Sequence, residues 1–408
     1  MTAMRRVDVL VVGAGPAGLA AAARLAAAGA GRVEVLEREP EPGGVPRHSA
    51  HGGFGTLTRP LTGPRYARLL TEAAERAGAT LRTGVTALDW APGGPVLTTV
   101  GPGGPETVGA RAVVLATGAR ERPRTARLVP GTRPAGVYTT GELQRAVHLF
   151  GQHIGTRAVV VGAEDVSYAA AGTLRAAGTE VVALVTEDPR ARAARARAQA
   201  ARLRHGIPLL TSATVTALLG HGRLSGVRIR HRDGRTAVLP CDTVVFTGDF
   251  VPDHELARRG GLALDPGTRG PATDGTWHTS RPGVFAAGDL LHAVEPARTA
   301  VLEGARAARA VLGHLAGAPW PDPGVPVLVS APLRWITPNR VTPGVRPDHH
   351  LLRPAALPPR PVLYVHQDGR LLHRRRLATT PSHRTPRLPA HWHDRVDPGG
   401  GPVRVSTG

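Results

Sequence analysis

The 408-residue sequence carries 51 basic and 31 acidic residues and has a formal net charge of +20; it contains no lysine, so arginine carries the positive charge. Aromatic residues make up only 3% of the chain, which argues against a platform of exposed rings for single-stranded nucleic acid. A single cysteine, Cys241, rules out a disulfide framework or a C-x-x-C redox pair within one chain. Arg, Ala, Gly and Pro are abundant together, so we interpret the charge as compositional, with an anionic partner or membrane surface as the alternative.

The first predicted element is a buried strand, VDVLVV, followed by a glycine-rich turn and a helix. Gly13, Gly15 and Gly18 occupy the G-x-G-x-x-G positions, and the helix closes near Gly29. A second strand, VEVLE, ends at Glu37. The first glycine permits a tight turn, the second lets the backbone approach a pyrophosphate, and the third lets the helix pack on the strand. An acidic residue after the second strand can accept a hydrogen bond from a ribose hydroxyl, so the unit predicts a dinucleotide site.

The apolar run over residues 9–30 follows two arginines and could be mistaken for a signal peptide or a membrane-spanning helix. Its glycines and the strand–turn–helix pattern argue against both. No other stretch approaches spanning length. We therefore expect no transmembrane segment and a cytoplasmic location.

Later motifs extend this pattern: PGG ending at Gly44, VVLATGAR with Thr117 and Gly118, and VFAAGD ending at Gly288 and Asp289. Together they resemble the two-dinucleotide-binding-domain flavoproteins that include the pyridine nucleotide disulfide oxidoreductases, over about residues 7–315. The resemblance implies an α/β fold with two Rossmann-like domains, the second inserted in the first, plus a small C-terminal β-rich segment. It places the FAD-binding domain at residues 1–122 and 249–318 and an NAD(P)-binding-like domain at residues 123–248.

The resemblance also implies an FAD site in which Asp289 contacts the ribityl or pyrophosphate region. A helix with Pro296 in its first turn would point its N-terminus at the flavin and stabilise negative charge on the reduced ring. The residues expected to bind FAD are Gly13, Ala14, Gly15, Pro16, Ala17, Gly18, Glu37, Arg38, Gly44, Val85, Ala116, Thr117, Gly118, Gly288, Asp289, Pro296 and Ala297.

A second strand–turn–helix unit begins at Arg157, but its glycine motif is degenerate: Gly162 remains, while Glu164 and Ser167 occupy the second and third glycine positions. A side chain at the second position blocks a pyrophosphate, and its carboxylate repels the phosphates by roughly 4 kcal/mol at about 4 Å and an effective dielectric near 20. We predict that this unit is scaffold or binds another ligand, and that NAD(P) binding is doubtful. Alternatively, Glu164 swings away and NAD(P)H binds in a shifted pose.

Longer motifs, PRHSAHGGFG, LTGPRYA, VPGTRPAGVYTTGELQ and GVFAAGDLLHAVEPARTAVLEG, resemble two subgroups. One comprises amine and opine dehydrogenase or cyanide-forming subunits, the other FAD oxidoreductases associated with glycerol 3-phosphate metabolism. His51 matches a histidine of these relatives and is a candidate base that takes a proton from the substrate; a merely solvated histidine is the alternative. Ser49 stands where the relatives lead us to expect cysteine.

Residues 319–408 are predicted to form a Pro-rich linker and a small β domain with a disordered tail. The HWH at residues 391–393 is interpreted as surface, and no metal site is predicted. Arg374 to Arg376 either dock an acidic partner or form a solvated strand end.

The leading functional hypothesis is an FAD-dependent oxidoreductase in which the flavin takes a hydride from a small amine- or hydroxy-type substrate. Electrons then pass to a partner protein of a complex, to a quinone or to oxygen. One alternative is an NAD(P)H-dependent reductase of a non-disulfide acceptor; the other is a non-catalytic FAD-binding subunit of a complex.

Overall fold

The computed structural model describes residues 4–56, 58–293, 295–355, 361–377 and 385–408. Its first part is an α/β layer in which a sheet rich in buried Val and Leu packs against two helices. The elements are β1 (Arg5–Val12), α1 (Pro16–Ala27), β2 (Val33–Glu37), β3 (Phe54–Gly55), β4 (Pro60–Leu61), α2 (Gly63–Arg76), β5 (Thr80–Thr83), β6 (Thr86–Ala91), β7 (Val96–Gly101), β8 (Gly104–Leu115) and β9 (Ala119–Glu121).

The strand order of this first sheet brings three predicted motifs to one edge. The order is β5-β2-β1-β8-β7-β6, and β1 pairs in parallel with both β2 and β8. The carboxyl ends of parallel strands meet at the same edge of a sheet, where such folds bind ligands. The turn after β1, Glu37 at the end of β2 and Thr117 after β8 therefore lie together.

A second α/β layer follows in the chain. Its elements are β10 (Val137–Thr139), α3 (Thr140–His148), β11 (Arg157–Val161), α4 (Asp165–Ala176), β12 (Glu180–Val185), α5 (Arg195–His205), β13 (Leu209–Leu210), β14 (Ala213–Leu219), β15 (Gly226–His231), β16 (Thr236–Pro240), β17 (Thr243–Phe246) and β18 (Phe250–Pro252). The parallel sheet has the order β10-β17-β11-β12-β13, beside an antiparallel sheet of β14, β15 and β16. Antiparallel pairing of β9 with β18 joins the strand that leads into this layer to the strand that leaves it.

The chain then returns to the first sheet through α6 (Glu255–Arg259), β19 (Val284–Ala286) and α7 (Ala297–Leu315). Because β19 pairs in parallel with β8, the second layer is inserted within the first, and the predicted fold of two Rossmann-like units is confirmed. Helix α7 begins after Pro296, which was predicted to lie in its first turn: Pro296 has an extended ψ of 144° and is the N-cap. Within the described residues, no helix has both the length and the apolar character needed to cross a membrane.

The described residues of the C-terminal part form β-strands joined by loops, with a short 3-10 turn at His391–Arg395. The strands are β20 (Val325–Val329), β21 (Leu333–Thr337), β22 (Arg340–Val341), β23 (His349–Pro354), β24 (Val362–Gln367), β25 (Arg370–Arg376), β26 (Arg387–Pro389) and β27 (Val403–Thr407). They form two sheets, with orders β22-β20-β27-β24-β25 and β21-β23-β26, which enclose a core around the fully buried Trp392.

Two expectations for this part are wrong. The tail is not disordered over residues 403–407, because β27 pairs with β20 on one side and β24 on the other and buries Val403 and Val405. The HWH segment is not all surface, since Trp392 and His393 are buried and the His393 Nε2 lies 2.8 Å from the His350 Nε2. Burial lowers the pKa of His350 to about 3 and also lowers the pKa of His393, so both histidines are neutral near pH 7.

Candidate functional site

A large cavity of about 2090 Å³ lies at the carboxyl edge of the first sheet and extends to the second unit and the C-terminal β structure. Pockets for one small ligand measure about 300–1,000 Å³, so this cavity has room for a dinucleotide cofactor and a further molecule. Among the described residues, no group of three His, Cys, Asp or Glu side chains is arranged to hold a metal ion.

The turn after β1 forms the base of the cavity and suits a diphosphate. Gly13 has φ +104°, and a Cβ there would lie 2.4 Å from the Ala116 carbonyl oxygen. A Cβ on Gly18 would lie 1.9 Å from the Gly13 carbonyl oxygen, so packing requires both glycines. A Cβ on Gly15, by contrast, would meet no protein atom within 4 Å, and no side chain caps α1. The open amide end of α1 can therefore receive an anion at Gly15.

Glu37 ends β2 beside this turn and is held in place by backbone donors. Its Oε2 accepts a hydrogen bond from the Ala14 N–H at 3.0 Å, and its Oε1 accepts one from the Glu39 N–H at 2.9 Å. Each carboxylate oxygen has a second lone pair, so Glu37 can still accept from a ribose hydroxyl at the cavity wall.

The structure brings most of the predicted site residues to one surface. Those that line the cavity are Gly13, Gly15, Pro16, Ala17, Glu37, Arg38, Gly44, His51, Val85, Ala116, Thr117, Gly118, Asp289, Pro296 and Ala297. Three others lie behind the lining: Ala14 orients Glu37, Gly18 packs on Gly13, and a Cβ on Gly288 would lie 2.6 Å from the Ala17 Cβ. These three shape the site rather than face it.

Asp289 closes one wall of the cavity and has an unused hydrogen-bonding atom. Its Oδ1 is buried without a hydrogen-bond partner among the described residues, as expected for a side chain that pairs with a bound group. Burial raises the pKa of Asp289 to about 7, against the opposing charge of His292. Behind it, Glu303 accepts from the Gly288 N–H at 3.1 Å and contacts the His292 Nε2 at 2.7 Å. The unpaired Oδ1 and the glycine turn together fit FAD.

Two histidines on the loop after β2 face the cavity in different states. His51 is exposed, stacks on Phe54 at 5.5 Å between ring centroids, and has its Nδ1 2.7 Å from the Gly52 carbonyl oxygen. His48, which we did not predict, is buried, and its Nδ1 has no partner among the described residues. Burial and the charges of Arg145 and Arg47 lower the pKa of His48 to about 4, so it is neutral near pH 7. Nothing in the neighbouring sequence predicts that His48 is buried.

The second unit keeps the turn but places an ion pair at its crevice, which remains part of the cavity lining. Glu164, the N-cap of α4, pairs through its Oε1 with the Arg353 Nη2 at 3.1 Å. Ser167 is fully buried, and its Oγ accepts from the Glu164 N–H at 3.1 Å and contacts the Thr247 Oγ1 at 2.6 Å. The side chain that we predicted to repel phosphate is therefore neutralised by an arginine from the C-terminal β structure, which the sequence did not reveal.

The junction of the two units contains a further residue that sequence reasoning missed. Glu121, in β9, is buried at the cavity wall and accepts from the Thr140 Oγ1 and the Gly248 N–H, both at 2.8 Å. Burial raises the pKa of this carboxyl group. Glu121 thereby ties α3 and the end of β17 to the strand pair that links the units.

Two Rossmann-like units, one inserted in the other, with a cofactor-sized cavity at the first unit's strand ends, define a dinucleotide-dependent oxidoreductase. The sequence pattern of the pyridine nucleotide-disulphide oxidoreductases matches residues 7–304, and the chain belongs to this family. Its members are FAD-dependent oxidoreductases, and the chain is an enzyme of this kind. The family match ends before the C-terminal β structure.

The individual relatives carry out different oxidoreductase activities. The chain is 34% identical over 299 residues to a ferredoxin–NADP reductase of Salinispora tropica, covering 70% of this chain and 87% of that protein. It is 32% identical over 344 residues to an opine oxidase component of Rhizobium meliloti, covering 76% of this chain but only 63% of that relative, less than two thirds. Among solved structures, thioredoxin reductase of T. acidophilum superposes with a TM-score of 0.65 at 26% identity, covering 76% of this chain and 99% of that chain.

Proposed function

We propose that this protein uses FAD to oxidise a small amine- or hydroxy-type compound and passes the electrons to a partner protein, a quinone or oxygen. The observation that carries this proposal is the Glu164–Arg353 pair, which places a carboxylate and its arginine partner at the second glycine position, where the diphosphate of a nicotinamide nucleotide would bind. Because this pair disfavours a nicotinamide nucleotide there, the electrons come from an organic donor. The likeness to the opine oxidase component supports the same direction of electron flow.

In this proposal, residues 1–122 and 249–318 form the FAD-binding domain, and residues 123–248 form a scaffold domain. Gly15 and the amide end of α1 hold the diphosphate, Glu37 the ribose, and Asp289 a cofactor hydroxyl. FAD, when bound, supplies the two-electron chemistry. The N-terminus of α7, at Pro296 and Ala297, contributes positive polarity at the cavity wall.

We assign His51 the role of base. If its Nδ1–H donates to the Gly52 carbonyl oxygen, its Nε2 carries a free lone pair at the cavity wall and can take the substrate's proton. Replacing it, His51→Asn, is expected to slow reduction by the organic donor about 10²- to 10⁴-fold at unchanged FAD content. The control is His153→Asn, because His153 is exposed and lies outside the cavity lining.

Anaerobic mixing tests the proposal directly. The FAD-loaded protein is mixed with amines, hydroxy acids and polyols, and separately with NADH and NADPH, while the flavin absorbance is followed. Bleaching by an organic donor supports the proposal. Rapid bleaching by NADPH alone would overturn it in favour of a reductase, and bleaching by dithionite alone would indicate a non-catalytic role.

The reductase is the second candidate because the ferredoxin–NADP reductase relative is matched over 87% of its length. For the protein to act as an NAD(P)H-dependent reductase, the Glu164 side chain would have to separate from Arg353 and turn away from the α4 N-terminus. The same mixing experiment decides between the two.

A further inference from the structure

The C-terminal β structure, which comprises strands β20 to β27, bridges the two Rossmann-like units. It reaches the second unit through Arg353 and through the Ala355 carbonyl oxygen, which accepts from the Arg192 Nη2 at 2.7 Å. On the first unit, Asp348 pairs with Arg306 at 2.9 Å and Thr385 donates to Glu295, next to the α7 N-terminus. This β structure therefore closes the cavity over the space between the α7 and α4 N-termini.

The wall that it contributes is positively charged. Its lining residues are Leu351, Arg353, Arg375, Leu377, Thr385, Pro386 and Arg387, which include three arginines and no carboxylate. The carboxylate of Glu164 neutralises the charge of Arg353. Among the described residues, Arg375 and Arg387 have no carboxylate within 4.0 Å, and the remaining segments of the chain contain no Asp or Glu that could supply one.

An arginine that faces a cavity without a counter-ion favours an anionic ligand. Arg375 is half-buried, and Leu377, two residues along, is buried beside it. Partial removal from water strengthens a guanidinium–anion contact, and the planar fork of arginine matches a carboxylate or phosphate. The diphosphate of FAD already has a place at Gly15, on the first unit, so a second anion is implied.

We propose that this wall is the anion-binding part of the substrate site, with Arg375 as the principal contact. The inference rests on the proposed function and narrows its substrate class to amine or hydroxy compounds that carry a carboxylate or a phosphate. Leu351 and Leu377 would pack against the apolar part of such a molecule.

Direct binding to the FAD-loaded protein tests this inference without turnover. Succinate, inorganic phosphate and neutral succinamide are titrated while the flavin difference spectrum and the heat of binding are recorded. We expect one of the two anions to bind and succinamide not to bind; the tighter anion identifies the carboxylate or the phosphate as the recognised group. The substitution Arg375→Gln should lower the affinity for that anion at least tenfold, equivalent to about 1.4 kcal/mol of binding free energy.

Two further variants make the result specific. Arg376→Gln removes the same charge from the same strand, but Arg376 is exposed and does not line the cavity, so its affinity should equal that of the wild type. Arg375→Lys keeps the charge and loses the fork, and should bind with intermediate affinity. Equal anion affinity in the wild type, Arg375→Gln and Arg376→Gln would overturn the inference, as would loss of FAD from Arg375→Gln.

The two proposals fail separately. If succinate or phosphate binds through Arg375 but no organic donor bleaches the flavin, the anion site stands and the proposed function fails. If a neutral donor bleaches the flavin equally in the wild type and in Arg375→Gln, the proposed function stands and the anion site fails.

Discussion

The first and second Rossmann-like units share one backbone turn and then differ at the two positions that follow it. Gly13 and Gly162 both have positive φ, +104° and +128°. At the second position, Gly15 leaves open space, whereas Glu164 crosses that space to reach Arg353. The first glycine is therefore needed for the backbone turn in both units, whereas the second glycine leaves space for a ligand only in the first unit.

The third position differs for a packing reason. Gly18 lies so close to the Gly13 carbonyl that any Cβ would clash, but Ser167 is accommodated and uses its hydroxyl to satisfy the Glu164 N–H. A lost third glycine can thus be compensated within the protein. A lost second glycine indicates a lost or altered ligand.

The largest effect is expected from placing the second unit's residue in the first unit. Gly15→Glu should reduce FAD affinity more than a hundredfold, since a carboxylate beside a phosphate costs several kcal/mol. The fold should survive, because a Cβ at Gly15 meets no protein atom. The FAD-to-protein ratio after reconstitution measures the loss; Gly172→Glu, on the exposed side of α4, is the control. Full FAD occupancy in Gly15→Glu would refute the assignment of this turn.

The next effect separates packing from ligand binding. Gly18→Ala should destabilise the FAD-free protein by roughly 1–3 kcal/mol, as expected for overpacking, because the new Cβ meets the Gly13 carbonyl oxygen. Gly172→Ala, a helical position with open space, should stabilise it by about 0.5–1 kcal/mol. Thermal unfolding of both variants measures the difference, and an unchanged Gly18→Ala protein would contradict it.

The ends of β19 and β17 differ in what accompanies a glutamate that accepts from the following glycine N–H: behind Asp289, Glu303 also contacts the buried His292, whereas Glu121 at Gly248 also accepts from the Thr140 Oγ1. Burial alone would lower the pKa of His292, but Glu303 and Asp289 raise it to about 9. The folded state therefore prefers the protonated form. This stabilisation is fully present below about pH 6.5 and is lost as the pH rises through about 9.

Unfolding measured between pH 6 and pH 10 should show this loss, on the order of 3 kcal/mol, because the pKa is raised from 6.5 to about 9 and one pKa unit corresponds to about 1.4 kcal/mol. His292→Gln should flatten the profile over that range. An unchanged slope in the variant would assign the pH dependence to other groups.

The first unit could be predicted from the sequence because all the residues that define it are local: strand, glycine turn, helix and terminal acidic residue follow one another within about thirty residues. The wall around Arg375 was not readable, since it depends on contacts such as Glu164 with Arg353, 189 residues apart. Strand β27 was missed for a related reason. The preceding GGGP suggested disorder, while the evidence for a strand lies in its distant partners β20 and β24.

The smallest expected effect is the coupling energy between Glu164 and Arg353, the ion pair at the second crevice. Their side chains are 25% and 14% exposed, so the pair is partly shielded, and a double-mutant cycle of Glu164→Gln and Arg353→Gln should give a coupling of about 0.5–1 kcal/mol. The matched pair Glu255 and Arg258, both more than half exposed, should give less.

The Arg353→Gln variant also shows which feature prevents nicotinamide nucleotides from binding to the second unit. If the carboxylate at the second glycine position is the barrier, Arg353→Gln should bind NADPH no better than the wild type, because removing the arginine leaves Glu164 unneutralised beside the phosphates. Tight NADPH binding by Arg353→Gln would instead show that the C-terminal wall closes the crevice and that the degenerate glycine motif is tolerated. Calorimetric titration of NADPH into both proteins distinguishes these outcomes, because only the second predicts a gain of affinity.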